Sequence, residues 1–271
     1  MTMGVMRMVA TALALGALSY GSVNIAKATD TNEDQESDVQ SACAQLPSHA
    51  QLHAALAAAR AHANGGFNLD MWGTVVNRDG IVCAIAFTGS DRGAQWPGSR
   101  VISAQKANTA NAFSLPHLAL STANLFSAVQ PGGSLFGLQA SNPVSTRVAY
   151  RGDSRNYGGA NDPMVGGKIG GVNVFGGGLA LYNSQHELIG GLGVSGDSSC
   201  ADHNIAWRTR HTLVLDFVPA GVSGDASRPD NIVYDIVTQP GLPIGVSATG
   251  WGHATCSAAA TTIAGTLPTI P

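Results

Sequence analysis

Apolar residues recur along the first half of the chain at spacings that predict helices on both sides of a strand hairpin. An Ala- and Leu-rich run over residues 47–63 repeats at helical spacing and is ended by a Gly pair, so it predicts a first helix. Two β-rich runs on either side of Asp79-Gly80 predict a hairpin over residues 72–87. Helical spacing returns over residues 99–113, and a shorter helix is predicted over residues 117–129.

The second half of the chain alternates turn-rich stretches with short apolar blocks. Residues 130–170 are dense in Gly, Asn and Asp, and a loop of that length is typical of a lid or an assembly arm. A helix is predicted over about residues 200–210, and a further strand over residues 213–217. Three strands are predicted before that helix, at residues 172–175, 179–182 and 188–194.

This order of elements indicates an α+β domain with about five antiparallel strands flanked by helices. Hairpins place neighbouring strands antiparallel, which disfavours a doubly wound parallel sheet. We assign the domain to residues 47–210 and expect the Pro- and Gly-rich extension, residues 211–271, to wrap around it.

The N-terminal residues 1–28 have the three parts of a secretory signal peptide. Arg7 precedes an apolar run from Met8 to Leu18, and Ala26-Lys27-Ala28 fits an A-x-A cleavage site. An uncleaved anchor is the alternative, although the run is shorter than the ~20 apolar residues that a membrane span needs. Residues 29–46 are polar and acidic and are predicted to be a solvated linker. These features predict a periplasmic or secreted protein with no membrane span after processing.

The charge balance disfavours nucleic acid as a partner. The chain has 14 basic and 17 acidic residues, and removing residues 1–28 takes away Arg7 and Lys27 and no acid, which gives a net charge of −5. Nucleic acid and anionic lipid both require a basic face, which this composition does not offer. About 225 residues remain beyond the linker, enough for one domain with a sizeable core.

The four cysteines are Cys43, Cys83, Cys200 and Cys256, and an oxidising compartment makes pairing the default. Cys200 and Cys256 lie in loop-like contexts, so we favour a bond between them. Cys43 is predicted either to stay free or to pair with Cys83. Because Cys83 lies in an apolar strand pattern, a buried free thiol is the alternative for that residue. No C-x-x-C motif occurs, which argues against a zinc ribbon or a thioredoxin-type centre.

Two motifs near residue 195 suggest chemistry but are better explained by packing. Residues 191–196 match G-x-G-x-x-G, with Asp216 about 20 residues on, but that fingerprint requires a βαβ unit. We prefer the interpretation that small residues let a strand pack closely under a helix.

Ser195 resembles the nucleophile of a G-x-S-x-G elbow, but Asp197 replaces the final glycine. Asp202-His203 point ~100° apart on a helix, so they cannot act as a directly paired Asp-His orienter.

A histidine pair on the first predicted helix is a further candidate site. His49 and His53 are four residues apart and share a face, which is one requirement for binding a metal ion. A metal site also needs carboxylate or further histidine ligands, so a solvated helix face is the favoured interpretation.

Four blocks of sequence stand in a specific order and spacing: Val75–Val82; Ala104–Ala110 with Phe113 and Pro116; Gly176–Gly178; and Ile189–Gly196 with Asp202. Together they resemble the GlcG/HbpS-like family, also called the haem-degrading domain family, over about residues 47–210. The resemblance implies an α+β domain that assembles into a homo-oligomer and binds haem. Sensing, scavenging or degradation of haem are the roles that it implies.

The resemblance also implies candidate site residues. Its motif positions in this chain are Lys106, Thr109, Gly177, Ser195, Gly196 and Asp202. Haem needs an apolar slot, axial ligands and basic groups for its propionates. The basic candidates are Arg100, Lys106, Arg147 and Arg151.

Two histidines are candidate axial ligands of the haem iron. His117 is the first candidate, because it follows the helix block that carries Lys106, and His186, in a turn, is the second. A surface role is the favoured interpretation for either histidine taken alone. The alternatives to haem binding are an enzyme that acts on an unidentified small molecule in the same pocket and an oligomeric scaffold without a ligand. No established catalytic set is visible, which counts against the enzyme.

Overall fold

The computed structural model of the chain describes residues 38–241 and 244–271. The predicted signal peptide and residues 29–37 of the predicted linker lie outside the described residues, whereas residues 38–42 of that linker are helical rather than an unstructured solvated segment. Within those two ranges, no helix is long and apolar enough to cross a membrane.

The centre of the fold is a four-stranded antiparallel sheet with the strand order β2-β1-β4-β3. The predicted hairpin forms its first two strands, so the α+β antiparallel class is confirmed. A second, two-stranded sheet lies in the C-terminal extension. The strands are β1 Trp72–Asn77, β2 Val82–Phe87, β3 Gly178–Tyr182, β4 Leu188–Ser195, β5 Ile236–Val237 and β6 Val246–Ser247.

Helices cover both faces of the large sheet. The first helix begins at a capping box, in which the side chains of Ser48 and Gln51 each accept the other's backbone N–H. From residue 49 onward, the described α-helices are α1 His49–Arg60, α2 Ser99–Phe113, α3 Leu138–Ser141, α4 Thr146–Ala149, α5 Ser199–Thr212 and α6 Ala258–Ala264.

Three predicted elements are wrong because side chains or single bridges satisfy their backbone groups. Residues 172–175 form no strand, since Thr109 Oγ1 accepts the N–H of Asn173 at 3.0 Å. Residues 213–217 contribute one bridge, between Tyr182 and Asp216. Residues 117–129 contain a turn and two short 3₁₀ helices, Thr122–Leu125 and Ser127–Val129, rather than one α-helix.

Glycines in β4 allow α2 to pack directly on the sheet. A Cβ atom at Gly191 or Gly193 would overlap the carbonyl oxygens of Ala107 and Ser103, respectively. This close approach accounts for the 191–196 motif without a nucleotide. On the same side, the predicted long loop ends beside β2, where Val82 exchanges two backbone hydrogen bonds with residues 166–167 and the strand edge is covered.

The C-terminal extension packs into the core on the opposite face, where α1, α5 and α6 lie. Ile232, Ala264 and Leu267 join the apolar cluster formed by that face. The Asp230 carboxylate accepts two hydrogen bonds from Arg210, at 2.6 and 2.8 Å, and both side chains are fully buried.

Two disulfides connect distant parts of the chain. The favoured Cys200–Cys256 bond forms and joins α5 to the extension. Cys83 is not a free thiol, because it is bonded to Cys43. Its side chain is only half-buried, which leaves it within reach of the segment before α1.

Candidate functional site

Four of the motif residues lie together where α2, β4 and α5 meet. Lys106 Nζ of α2 lies 2.7 Å from Asp202 Oδ2 of α5 and donates to the carbonyl oxygen of Val194 at 3.1 Å. Asp202 Oδ1 accepts the N–H of Asp197 at 2.8 Å. Burial raises the pKa of Asp202 to about 6 and lowers the pKa of Lys106, while their mutual attraction opposes both shifts. The pair is therefore an internal salt bridge with its polar atoms already satisfied.

Gly177 and Ser195 complete this buried cluster and fill the space beside the Lys106–Asp202 pair. Gly177 has φ +112°, and a Cβ there would overlap the carbonyl oxygen of Val194 and approach Lys106 and Asp202. Ser195 is buried at the end of β4, opposite Trp72. These residues hold three elements together and leave little room beside Gly177 for a ligand.

Gly196 lies beside this cluster, between Ser195 and Asp197, whereas Thr109 and the other basic candidates have partners outside it. Thr109 Oγ1 donates to the carbonyl oxygen of Gln105 at 2.7 Å, so it serves the backbone around α2. The guanidinium of buried Arg100 lies on the ring of Tyr157 and donates to Asp162 and to the carbonyl oxygen of Ala149.

The other two basic candidates lie in the long loop. Arg147 is exposed, and Arg151 is exposed and donates to the carbonyl oxygens of Pro163 and Val165.

The residues that suggested a hydrolase do not form a catalytic set. Asp202 faces Lys106, whereas Nε2 of the fully buried His203 accepts the N–H of Ile232 at 3.1 Å.

On α1, His49 and His53 stack with ring centroids 6.1 Å apart, and His49 Nε2 lies 3.0 Å from the carbonyl oxygen of Gly158. Among the described residues, no group of three or more His, Cys, Asp and Glu side chains is arranged to hold a metal ion.

A buried histidine of the extension connects to the start of α5. Ser199 Oγ lies 3.3 Å from His253 Nε2, and His253 Nδ1 lies 2.7 Å from the carbonyl oxygen of Ala254. A carbonyl can only accept, so the ring carries its proton on Nδ1. Burial lowers the pKa of His253 to about 4, so the imidazole is neutral at pH 7.

Protonation of His253 is expected to destabilise the fold in mild acid. Because its pKa is about 4 in the folded chain and near its usual 6.5 when unfolded, the unfolded chain binds more protons between these values. Between pH 7 and pH 5, the free energy of unfolding should fall by about 2 kcal/mol more in the wild type than in His253→Gln. Urea titrations at both pH values measure this difference, and equal losses would contradict it.

A cleft of about 860 Å³ brings together both candidate axial histidines. His117 lies on one side, after α2, and His186 lies in the β3–β4 turn. The segment before α1 forms a third wall. Apolar side chains contribute to the lining: Leu46, Pro116, Leu188, Ile189 and Pro219.

His186 is held in an orientation that suits a metal ligand. Its backbone has φ 59°, and its Nδ1 lies 3.0 Å from the carbonyl oxygen of Phe217, whose ring it meets edge-on. The carbonyl fixes the proton on Nδ1 and leaves a lone pair on Nε2. A backbone carbonyl bonded to the second ring nitrogen is the usual support of a ligating histidine.

Arg78 is the basic group in the lining of this cleft, and it was not among the site residues predicted from the sequence. It lies in the β1–β2 turn, and its Nη1 donates to Asn111 Oδ1 at 2.7 Å. Burial lowers the pKa of Arg78, but a guanidinium remains charged at neutral pH. Arg78 lies in the block 75–82, one of the four blocks that carry the family resemblance, and this position could have identified it as a candidate site residue.

Comparison with known proteins connects the chain to one family. The model of the family described as haem degrading protein HbpS-like matches residues 48–210. A solved PduOC–haem complex is 24% identical, with a TM-score of 0.41 over 60% of this chain and 88% of that chain. The Klebsiella pneumoniae protein ORFY, of family DUF336, is 26% identical, with a TM-score of 0.41 over 61% of this chain and 87% of that one. None of the curated proteins matches the chain.

Proposed function

The chain belongs to the HbpS-like haem-degrading protein family, and from this premise we propose that it binds haem in the cleft between His117 and His186. The single observation that carries the location is the His186 imidazole, which a backbone carbonyl holds with a free lone pair on Nε2 beside an open, partly apolar cleft. The buried Lys106–Asp202 cluster would then support the fold rather than touch the ligand.

The residues of the cleft fit the chemistry of haem. Imidazole nitrogen is a common axial ligand of haem iron, the apolar walls suit the porphyrin, and Arg78 suits a propionate. The cleft volume of about 860 Å³ lies within the range of small-molecule sites. Bound haem would supply a redox-active iron. The chain itself would bind and orient the macrocycle, with His186 as the first axial candidate and His117 as the second.

A haemin titration of the oxidised protein, followed at the Soret band, tests this proposal. A saturable, shifted band with about one haem per chain is the expected result. A featureless titration would contradict haem binding and would favour an unidentified small molecule or a scaffold without a ligand. A normal titration in Lys106→Met, provided that it folds, would support the cleft over the buried cluster as the site.

Arg78→Gln is expected to weaken haemin binding by about 5–30-fold, because a charge-assisted hydrogen bond to a propionate contributes ~1–2 kcal/mol. The same substitution should scarcely change the affinity for haemin dimethyl ester, which has no free carboxylate. Parallel titrations with the two tetrapyrroles measure the difference. Equal weakening for both would show that Arg78 acts through the fold, and no weakening for either would remove it from the site.

We also propose that the protein functions outside the cytoplasm, in the periplasm or as a secreted protein, and that it forms a homo-oligomer. Two disulfides support an oxidising compartment. Fractionation of cells that express the full chain, with mass spectrometry of the N-terminus, tests export and cleavage after Ala28. Light scattering of the purified protein tests assembly.

A further inference from the structure

The wall of the cleft that precedes α1 has few attachments to the other residues that the structure describes. Its lining residues are Ser41, Ala42, Ala44, Gln45 and Leu46. The first four are exposed, and their side chains are too small or too polar to anchor the segment by apolar burial. The hydrogen bonds of Cys43 N–H to Val39 and of Leu46 N–H to Cys43 stay within the segment.

Among the described residues, three features connect this wall to the sheet. Asn77 Nδ2 donates to the carbonyl oxygen of Ala42 at 3.1 Å, and Leu46 is half-buried against the core. The third is the Cys43–Cys83 disulfide, which fixes the middle of the wall to β2 across 40 residues of chain. A covalent link of that span removes much conformational freedom, whereas one hydrogen bond at the surface removes little.

We infer that the Cys43–Cys83 disulfide assembles the cleft, so that only the oxidised chain has a complete ligand site. This inference rests on the proposed function for its ligand and on the contacts of the wall for its mechanism. A chain in a reducing environment would keep His117, His186 and Arg78 in place but would lose the wall that encloses them. Ligand capture would therefore follow oxidation of the chain.

Reduction of the bond is chemically accessible, since both sulfurs belong to half-buried residues. One thiolate of a dithiol attacks Cys43 or Cys83 and forms a mixed disulfide with it, and the other cysteine leaves as a thiolate. The second thiol of the reductant then displaces the first cysteine. The dithiol loses two electrons and becomes a cyclic disulfide, and each cysteine thiolate takes up a proton.

The test compares Cys43→Ser/Cys83→Ser with the matched control Cys200→Ala/Cys256→Ala, which removes the disulfide outside the cleft. We expect at least about tenfold weaker haemin binding in the first variant and little change in the second, with both folded by circular dichroism. If the wild type binds haemin and the first variant binds it equally well, the inference is wrong and the proposed function stands.

Hydrogen exchange gives a readout that needs no ligand. The backbone amides at positions 43 and 46 should exchange at least about tenfold faster in Cys43→Ser/Cys83→Ser than in the wild type, while amides of α5 stay protected. Faster exchange supports the inference about the wall even if the wild type fails to bind haemin, which would contradict only the proposed function. Unchanged exchange at both amides would overturn the inference.

Discussion

Asp202→Ala is expected to lower the free energy of unfolding by about 3–5 kcal/mol, because it leaves the Lys106 ammonium buried without its counter-charge. Lys106 would retain only the carbonyl oxygen of Val194 as a partner, and the N–H of Asp197 would lose its acceptor. Urea denaturation at pH 7, with ligand absent, measures the loss.

The double variant Lys106→Met/Asp202→Leu distinguishes an ion pair that stabilises the fold from one that is merely costly to break. Apolar side chains of similar length avoid the desolvation of both charges, so the double variant should recover most of the stability lost in Asp202→Ala. A loss as large as that of the single variant would show that the cluster depends on its hydrogen bonds to Val194 and Asp197. A loss below about 1 kcal/mol in Asp202→Ala itself would contradict the buried ion pair.

The sequence correctly predicted the elements in which the apolar spacing of the side chains matches the hydrogen bonding of the backbone. The helical periodicity of α1 and α2 and the Asp-Gly turn between β1 and β2 are all observed. Residues 172–175 have the composition of a strand, but the side chains of Thr109 and Gln139 bond to their amides. Such distant side-chain partners leave no trace in the periodicity of the segment itself.

The candidate site was harder to predict, because distant parts of the chain form it. His117 was the first axial candidate because it follows the helix block that carries Lys106. Lys106 points from the middle of α2 into the interior, whereas His117 lies beyond the last residue of that helix and faces the cleft. Arg78 reaches the cleft from the β1–β2 turn, and the wall before α1 is joined to β2 by the Cys43–Cys83 bond, 40 residues apart in the sequence.

His186→Ala is expected to weaken haemin binding at least about 100-fold, because loss of a supporting group alone costs a metal ligand ~10–100-fold and loss of the ligand itself costs more. The carbonyl oxygen of Phe217 and the apolar lining would remain, so the fold should be unaffected.

His62→Ala, at an exposed position outside the cleft, is the matched control and should bind as the wild type does. Soret titrations of the wild type, these two variants and His117→Ala measure the affinities. Added imidazole should restore the wild-type spectrum to His186→Ala, since it can occupy the space of the missing ring. If His117→Ala loses binding while His186→Ala retains it, the axial ligand is His117, and the fixed orientation of His186 serves only the β3–β4 turn.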